Sequence, residues 1–291
     1  MHKFYTSGWR PLSICAAAAL LVACGGSDED SSTYRAEIRR TSMGVPHIKA
    51  DNWTGAGFGY GYAQAEDNLC TMADSFLTYR GERSKYFGGD AQLVASGTTG
   101  RPKNIDSDFF HRHVITSSVI DTMVAAQPEN IREMVDGFVT GYNRYLKDLK
   151  AGTSKSHAAC RNEVWVTNIT TTDIYRRMYE ANLAGGYSNF VANIANAAAP
   201  AAAVKVASQS SRTRAAAVQL AALKSTPIRS PELQVGGEEG VGSNMIGYGT
   251  AATGTSSPLL FGNPHWYWRG PDRFYQAQLT IPGKLNVSGT S

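Results

Sequence analysis

The hydrophobic pattern of this chain changes period once, and it does so across a long stretch with few large apolar side chains. From residue 53 to residue 183 apolar residues recur at three- and four-residue spacing, the signature of buried helix faces. After residue 242 they come instead in short runs of strand type. Residues 193–242 between them are rich in Ala with Ser, Gln, Lys and Arg, carry Pro200, Pro227 and Pro231, and close on Gly236-Gly237-Glu238-Glu239-Gly240-Val241-Gly242. Residues 201–223 have helical composition but little with which to dock on a core. Residues 193–242 therefore read as a spacer, accessible and easily cut.

On the helical side, residues 35–50 read as two short strands around a turn at Met43-Gly44. Residues 53–86 follow as helix despite Gly55, Gly57, Gly59 and Gly61. Each of these costs an exposed helix about 1 kcal/mol, so their presence predicts close packing against another element. Residues 105–150 are helical, with Ile131, Met134, Val135, Phe138, Tyr142 and Tyr145 forming one stripe, and residues 171–183 make a further helix. Beyond the spacer, strands are predicted at 245–248, 259–261, 274–279 and 285–287. They continue almost to Ser291, so further partners of this sheet are expected outside the sequence.

The first thirty residues carry their own message. A positive start (Lys3, Arg10) precedes the apolar run Ile14 to Val22, too short to span a bilayer and suited to a signal-peptide core. It ends in Leu21-Val22-Ala23-Cys24-Gly25-Gly26, which resembles a bacterial lipoprotein cleavage box. Residues 1–23 are then the signal, Cys24 the lipidated residue and 24–34 a tether, the alternative being an ordinary secretory signal with an incidental Cys24. Export to the periplasm with a lipid anchor is the expectation. Without Lys3 and Arg10 the formal charge of +4 is halved, and no basic cluster with interleaved aromatics offers a nucleic-acid surface. With Cys15 and Cys24 accounted for, Cys70 and Cys160 remain. In an oxidising compartment such a pair is read as a disulfide, with two buried free thiols as the alternative.

Familiar catalytic motifs are missing: no G-x-S-x-G, phosphate loop, H-E-x-x-H or paired C-x-x-C occurs. His111 and His113 are two residues apart on a helix and so point different ways, which disfavours a shared metal. His47 and His157 read as structural or exposed. What remains is Gly242-Ser243-Asn244, a serine directly after the glycine-rich end of the spacer and at the start of a strand. Alone it is a weak signal.

Taken with its surroundings it is more specific. Gly242-Ser243-Asn244, Gly262-Asn263-Pro264-His265-Trp266, Arg273-Phe274-Tyr275-Gln276 and Leu279-Thr280-Ile281-Pro282-Gly283 resemble the opening of the β-subunit in the penicillin acylase family. The similarity is closest to its acyl-homoserine lactone and aculeacin acylases. Gly44-Val45-Pro46-His47-Ile48, Gly61 through Asn68 and Arg80-Gly81-Glu82-Arg83 resemble the α-subunit, in the same order. The resemblance implies an N-terminal nucleophile (Ntn) hydrolase, an α+β fold built as an αββα sandwich and here incomplete. Residues 35–192 would be the α-subunit, 193–242 the excised spacer and 243–291 the start of the β-subunit. Self-cleavage would fall between Gly242 and Ser243 and yield a processed heterodimer. Ser243 would then be the nucleophile toward an N-acyl amide, His265 would organise the catalytic centre, and Trp266 would line the acyl pocket. A core histidine remains the alternative for His265.

The resemblance also implies oxyanion-hole donors that this sequence does not contain, so the chain alone is expected to be inactive. No cofactor and no metal are assigned, calcium included. Two other readings stay open. One is an acylase for penicillin or lipopeptide antibiotics. The other is a non-catalytic periplasmic lipoprotein on an acylase scaffold.

Overall fold

A computed structural model describes residues 33–93, 97–184, 186–198 and 242–291. Cys24, the signal and nearly all of the spacer lie outside the described residues. The spacer's first three residues, 193–195, finish a short helix and its last, Gly242, begins a strand.

The N-terminal hairpin forms as read: β1 (Glu37–Arg40) and β2 (Pro46–Lys49) pair antiparallel around Gly44. Its sheet is completed from the far side of the spacer. β5 (Gln276–Ile281) lies parallel to β2, with His47 opposite Gln278 and Lys49 opposite Thr280, and β6 (Leu285–Thr290) pairs antiparallel with β5. Pro46, Ile48, Ala277 and Ile281 turn inward, alternating with exposed neighbours in β2. A second, two-stranded sheet joins β3 (Gly242–Tyr248) to β4 (Leu259–His265). The strands therefore extend further than their apolar runs, because backbone pairing continues through Gly242-Ser243-Asn244 and Gly262 to His265.

Helix α1 (Trp53–Arg80) starts at Asn52, whose side-chain oxygen accepts the Gly55 N–H at 2.7 Å, and stops at Gly81 in the left-handed conformation. The predicted 53–86 helix thus divides, α2 (Arg83–Phe87) following after the turn. Gly81 allows it on two grounds: positive φ, and a space where a Cβ would stand 2.7 Å from the carbonyl oxygen of Asp108. The 105–150 stretch is three helices, α3 (Asn104–Val114), α4 (Ser117–Ala125) and α5 (Glu129–Lys150). Thr116 caps α4 and Pro128 opens α5, both residues that favour a helix start over continuation. α6 (Thr171–Leu183) agrees with the sequence reading and carries a capping box between Thr170 and Asp173. α7 (Val191–Ala195) and α8 (Thr250–Thr253) are short.

The alternating glycines of α1 form two stripes, since residues four apart share a helix face and residues two apart do not. Gly55 and Gly59 press on the sheet, where a Cβ at 59 would meet Ile48 at 2.6 Å and Ala36 at 2.7 Å. Gly57 and Gly61 press on α5, where a Cβ would stand 2.0 Å and 2.1 Å from the carbonyl oxygens of Met134 and Phe138. α5 returns the contact: Gly137 and Gly141 leave only 1.9 Å and 2.0 Å between a Cβ and the carbonyls of Thr54 and Phe58. Below this backbone contact lies the core, Leu69, Met72, Phe76, Val135, Tyr142, Tyr145, Leu146 and Leu149, joined by Ile174 and Tyr175 of α6. Phe76 and Tyr142 meet edge to face at 5.6 Å. Cys70 and Cys160 are joined as a disulfide within this cluster, closing a loop of 90 residues.

Two outcomes are expected. Gly61→Ala should lower stability by about 3 kcal/mol, the upper end of overpacking costs, because the obstructing atom is backbone. Gly247→Ala, where a Cβ meets nothing within 4 Å, should change it by less than about 0.5 kcal/mol in the same denaturant titration. Peptide mapping without reductant should recover Cys70 linked to Cys160, and reduction should cost at most about 5 kcal/mol for a loop of this length.

Candidate active site

The β3–β4 ribbon brings the Gly242–Ser243 junction and His265 together through register. Gly242 lies opposite His265, Ser243 opposite Pro264 and Asn244 opposite Asn263. Gly242, Asn244, Asn263 and His265 consequently share one face, and Ser243 takes the other. The side-chain amides of Asn263 and Asn244 donate to Nε2 of His265 at 3.2 Å and 3.4 Å. Nδ1 is the atom that faces Gly242, 3.9 Å from where a Cβ would stand. The Ser243 hydroxyl donates to the carbonyl oxygen of Gly242 at 2.6 Å. The histidine therefore sits beside the Gly242–Ser243 peptide without a hydrogen bond to Ser243, while the serine's own oxygen sits on the carbonyl that precedes it.

Trp266 leaves β4 half-buried, stacks on Phe274 at 6.2 Å and 12°, and donates its indole N–H to the carbonyl of Asp272 at 2.8 Å. It does not line the apolar cavity of about 380 Å³ bounded by Met72, Phe76, Met134, Phe138 and Met178. Arg177, Pro271 and Arg273 also line that cavity. Ile131, Met134 and Phe138, expected as core, are half-buried and border it, which explains why an apolar stripe longer than the core exists on α5.

Several residues that couple the two sides of the spacer are invisible to motif reading. Tyr275, just before β5, donates its hydroxyl to Asp67 of α1 at 2.6 Å, and Asp67 also accepts from Arg40 of β1 at 2.9 Å. Burial, then the hydrogen bond to the Asp67 carboxylate, push the Tyr275 phenol well above its ordinary pKa. α1 kinks at Asn68, immediately after this contact. Asp272 accepts from Thr98 and Arg177, residues 174 and 95 positions earlier. The only sequence signal was that Asp67 and Tyr275 stand inside the segments that carried the resemblance.

The remaining histidines have structural settings. His111 is fully buried, donates from Nδ1 to the carbonyl of Ser107 at 2.7 Å and turns Nε2 toward Glu180 at 3.6 Å. His113 stacks on Phe109 instead, so the two do diverge. His157 meets the carbonyl of Glu66 at 3.0 Å and His47 is exposed. Among the described residues no cluster of three His, Cys, Asp or Glu side chains could hold a metal ion, and no helix is long and apolar enough to cross a membrane.

The comparisons with known proteins bear on all of this. The family model described as penicillin amidase matches residues 35–291, and the chain belongs to that family. It is 37% identical over 288 residues to an acyl-homoserine lactone acylase PvdQ of Pseudomonas savastanoi pv. phaseolicola, covering 99% of this chain and 34% of that protein. It is 36% identical over 280 residues to the aculeacin-A acylase of Actinoplanes utahensis, covering 96% of this chain and 33% of the relative. The chain thus spans about a third of the length of these relatives. Among solved structures, a thermostable penicillin G acylase from Alcaligenes faecalis aligns with a TM-score of 0.44 at 22% identity, over 67% of this chain and 87% of that one.

The Tyr275–Asp67 contact predicts a pH effect. Folding raises the phenol's pKa above the unfolded value of 10.0, so its stabilisation is complete below pH 10 and is lost as pH rises further. Tyr275→Phe should flatten that alkaline loss in thermal melts taken from pH 9 to 12, and lower stability at neutral pH by roughly 1 kcal/mol.

Proposed function

We propose that this chain belongs to a self-processing amide hydrolase, an acylase that cuts between Gly242 and Ser243 and then uses Ser243 as an N-terminal nucleophile. The observation that carries this reading is the Ser243 hydroxyl hydrogen-bonded to the carbonyl of the peptide it would cleave, at the head of β3 and directly after the spacer.

A serine hydroxyl is a poor nucleophile near neutrality without a base at hand. Self-cleavage supplies one. Oγ of Ser243 bonds to the Gly242 carbonyl carbon, the carbon–nitrogen bond breaks as the nitrogen takes a proton, and water then hydrolyses the resulting ester. The products are a Gly242 carboxylate and a free α-amine on Ser243. That amine has a reference pKa near ~8, against ~10 for a lysine, so it accepts a proton close to working pH. In the second reaction the same Oγ attacks a substrate amide, the amine leaves with a proton, and water releases the acid from the acyl-enzyme. His265, with Nδ1 turned toward Gly242, stands beside the junction during the first reaction.

N-acylated small molecules are the substrate class we infer, acyl-homoserine lactones foremost. Trp266 would present a broad apolar face to the acyl chain, and the nearby cavity has the volume of a small-molecule site. The similarity to aculeacin-A acylase favours a second substrate class, lipopeptide amides, which differ in the amine and not in the acyl chemistry. We infer a periplasmic location with lipidation at Cys24 from the first thirty residues, and a processed α–β pair from the Gly242–Ser243 junction.

Intact mass of the protein made from its full reading frame, beside Ser243→Ala, tests the mechanism. The parent should yield a fragment that begins at Ser243 and the variant should remain whole. One uncut chain in both would sink the self-processing reading and favour a non-catalytic lipoprotein.

A further inference from the structure

The turn from Gly97 to Gly100 and helix α6 together hold one carboxylate that arrives from the other side of the spacer. Oδ2 of Asp272 accepts the backbone N–H of Thr98 at 2.7 Å and the Thr98 hydroxyl at 3.0 Å. Oδ1 lies 3.5 Å from Nη2 of Arg177, which also donates to the carbonyl of Pro271 at 3.4 Å. The turn fits the carboxylate closely, since a Cβ on Gly97 would stand 2.6 Å from Oδ2. Asp272 is 8% exposed, and a carboxylate that deep is tolerated only with donors and a counter-charge around it. Thr98 and Arg177 supply both.

Asp272 is tied down a second time through its main chain. Its carbonyl oxygen accepts the indole N–H of Trp266 at 2.8 Å, and the indole's flat face rests on Phe274 two residues further on. The side chain of Asp272 thus anchors the 271–274 segment to the helical block, and that segment in turn holds the indole by one hydrogen bond and one stacked face. The neighbours of Asp272 extend the effect, because Pro271 and Arg273 form part of the cavity wall together with Arg177.

We infer that Asp272 is a positioning residue that fixes the tilt of Trp266 and so sets the acyl-chain preference of the enzyme. This rests on the acylase reading and on Trp266 facing the acyl chain. Asp272 touches no reacting atom. Freed of its carboxylate contacts, the segment lets the indole and the cavity wall move, which loosens ground-state and transition-state binding of the chain alike. Such a loss raises KM more than it lowers kcat. It also blunts discrimination between chains that differ by methylenes, an effect of roughly 10- to 200-fold per group at best in a rigid apolar pocket.

The test compares Asp272→Ala and Asp272→Asn in the processed enzyme made from the full reading frame. The probes are a series of N-acyl-homoserine lactones of increasing chain length. Asp272→Ala should raise KM for the preferred chain about tenfold and compress the spread of kcat/KM across the series by a similar factor. Asp272→Asn keeps an oxygen for the Thr98 N–H and should retain the parent's preference. A second readout needs no activity. The near-UV circular dichroism assigned to the indole by difference with Trp266→Phe should be lost in Asp272→Ala and kept in Asp272→Asn. An unchanged chain preference together with an unchanged near-UV spectrum in Asp272→Ala overturns the proposal. Equal loss in both variants, with a matching drop in melting temperature, also overturns it and reduces Asp272 to a structural anchor. Should the parent neither self-cleave nor hydrolyse the probes, the acylase reading is what fails, and the near-UV arm then decides alone whether Asp272 holds the indole.

Discussion

The helical block and the sheet packed on it are arranged around one main-chain contact, the approach of α1 to α5 over four glycines. Gly57 and Gly61 on one helix and Gly137 and Gly141 on the other each leave about 2 Å between an imagined Cβ and a facing carbonyl oxygen. Side chains cannot mediate such a contact, so the helices are fixed at backbone distance and have little freedom to slide. The second glycine stripe of α1 applies the same rule to the β1–β2 hairpin. The helix is consequently held on two sides at once, and the register of hairpin, α1 and α5 becomes a single quantity. The Phe76–Tyr142 pair, the Cys70–Cys160 link and the cavity wall on α5 take their positions from it.

That rigidity reaches the residues beyond the spacer through the sheet. β2 is placed by α1, and β5 is placed by β2, although more than two hundred residues separate them in sequence. Tyr275 enters β5 with its hydroxyl on Asp67 of α1, and Asp272, three residues earlier, is seated on Thr98 and Arg177. Trp266 then hangs from Asp272. A chain of short contacts thus runs from the helix pair to the aromatic proposed to face substrate. The β3–β4 ribbon is set differently. Its apolar side chains are exposed on both faces, Ile246 and Phe261 on one, Met245 and Leu260 on the other. Apolar residues on both faces are the composition of a sheet covered on both sides.

Much of this was legible in the sequence, and the limits follow from range. The turn at Gly44, helix 171–183 and the strand starting at Leu285 came from local pattern, since periodicity and turn chemistry act over a few residues. The glycines of α1 were readable as a demand for close packing, but not as two stripes with different partners, because that needs the partner's identity. Helix ends were missed at Gly81 and between α3, α4 and α5, where a cap or a left-handed residue decides against a continuous apolar stripe. Gly242, Ser243 and His265 were found through collinear motifs, and their mutual placement across β3 and β4 follows from register, which no single motif carries. Asp272 and Tyr275 gave no signal of their function. A carboxylate or phenol acts through partners, and here those partners stand 95 to 208 positions away.

The same long-range contacts bear on how a chain could survive the proposed cut. Breaking the Gly242–Ser243 peptide removes the covalent tether between the helical block and the strands that complete its sheet. The disulfide offers no help, since both cysteines lie before the spacer. What remains is noncovalent: the parallel β2–β5 ladder, Tyr275 on Asp67, Asp272 in its turn, and the hydroxyls of Tyr60 and Ser291 in contact. While intact, the spacer raises the effective concentration of the two pieces for one another, and because loop-closure entropy grows only slowly with length, a long spacer gives up little of that advantage. Cleavage ends that advantage, so these contacts have to hold the two pieces unaided afterwards. Contacts strong enough to hold without the tether are the physical condition under which a nucleophile can be made by severing the chain beside it.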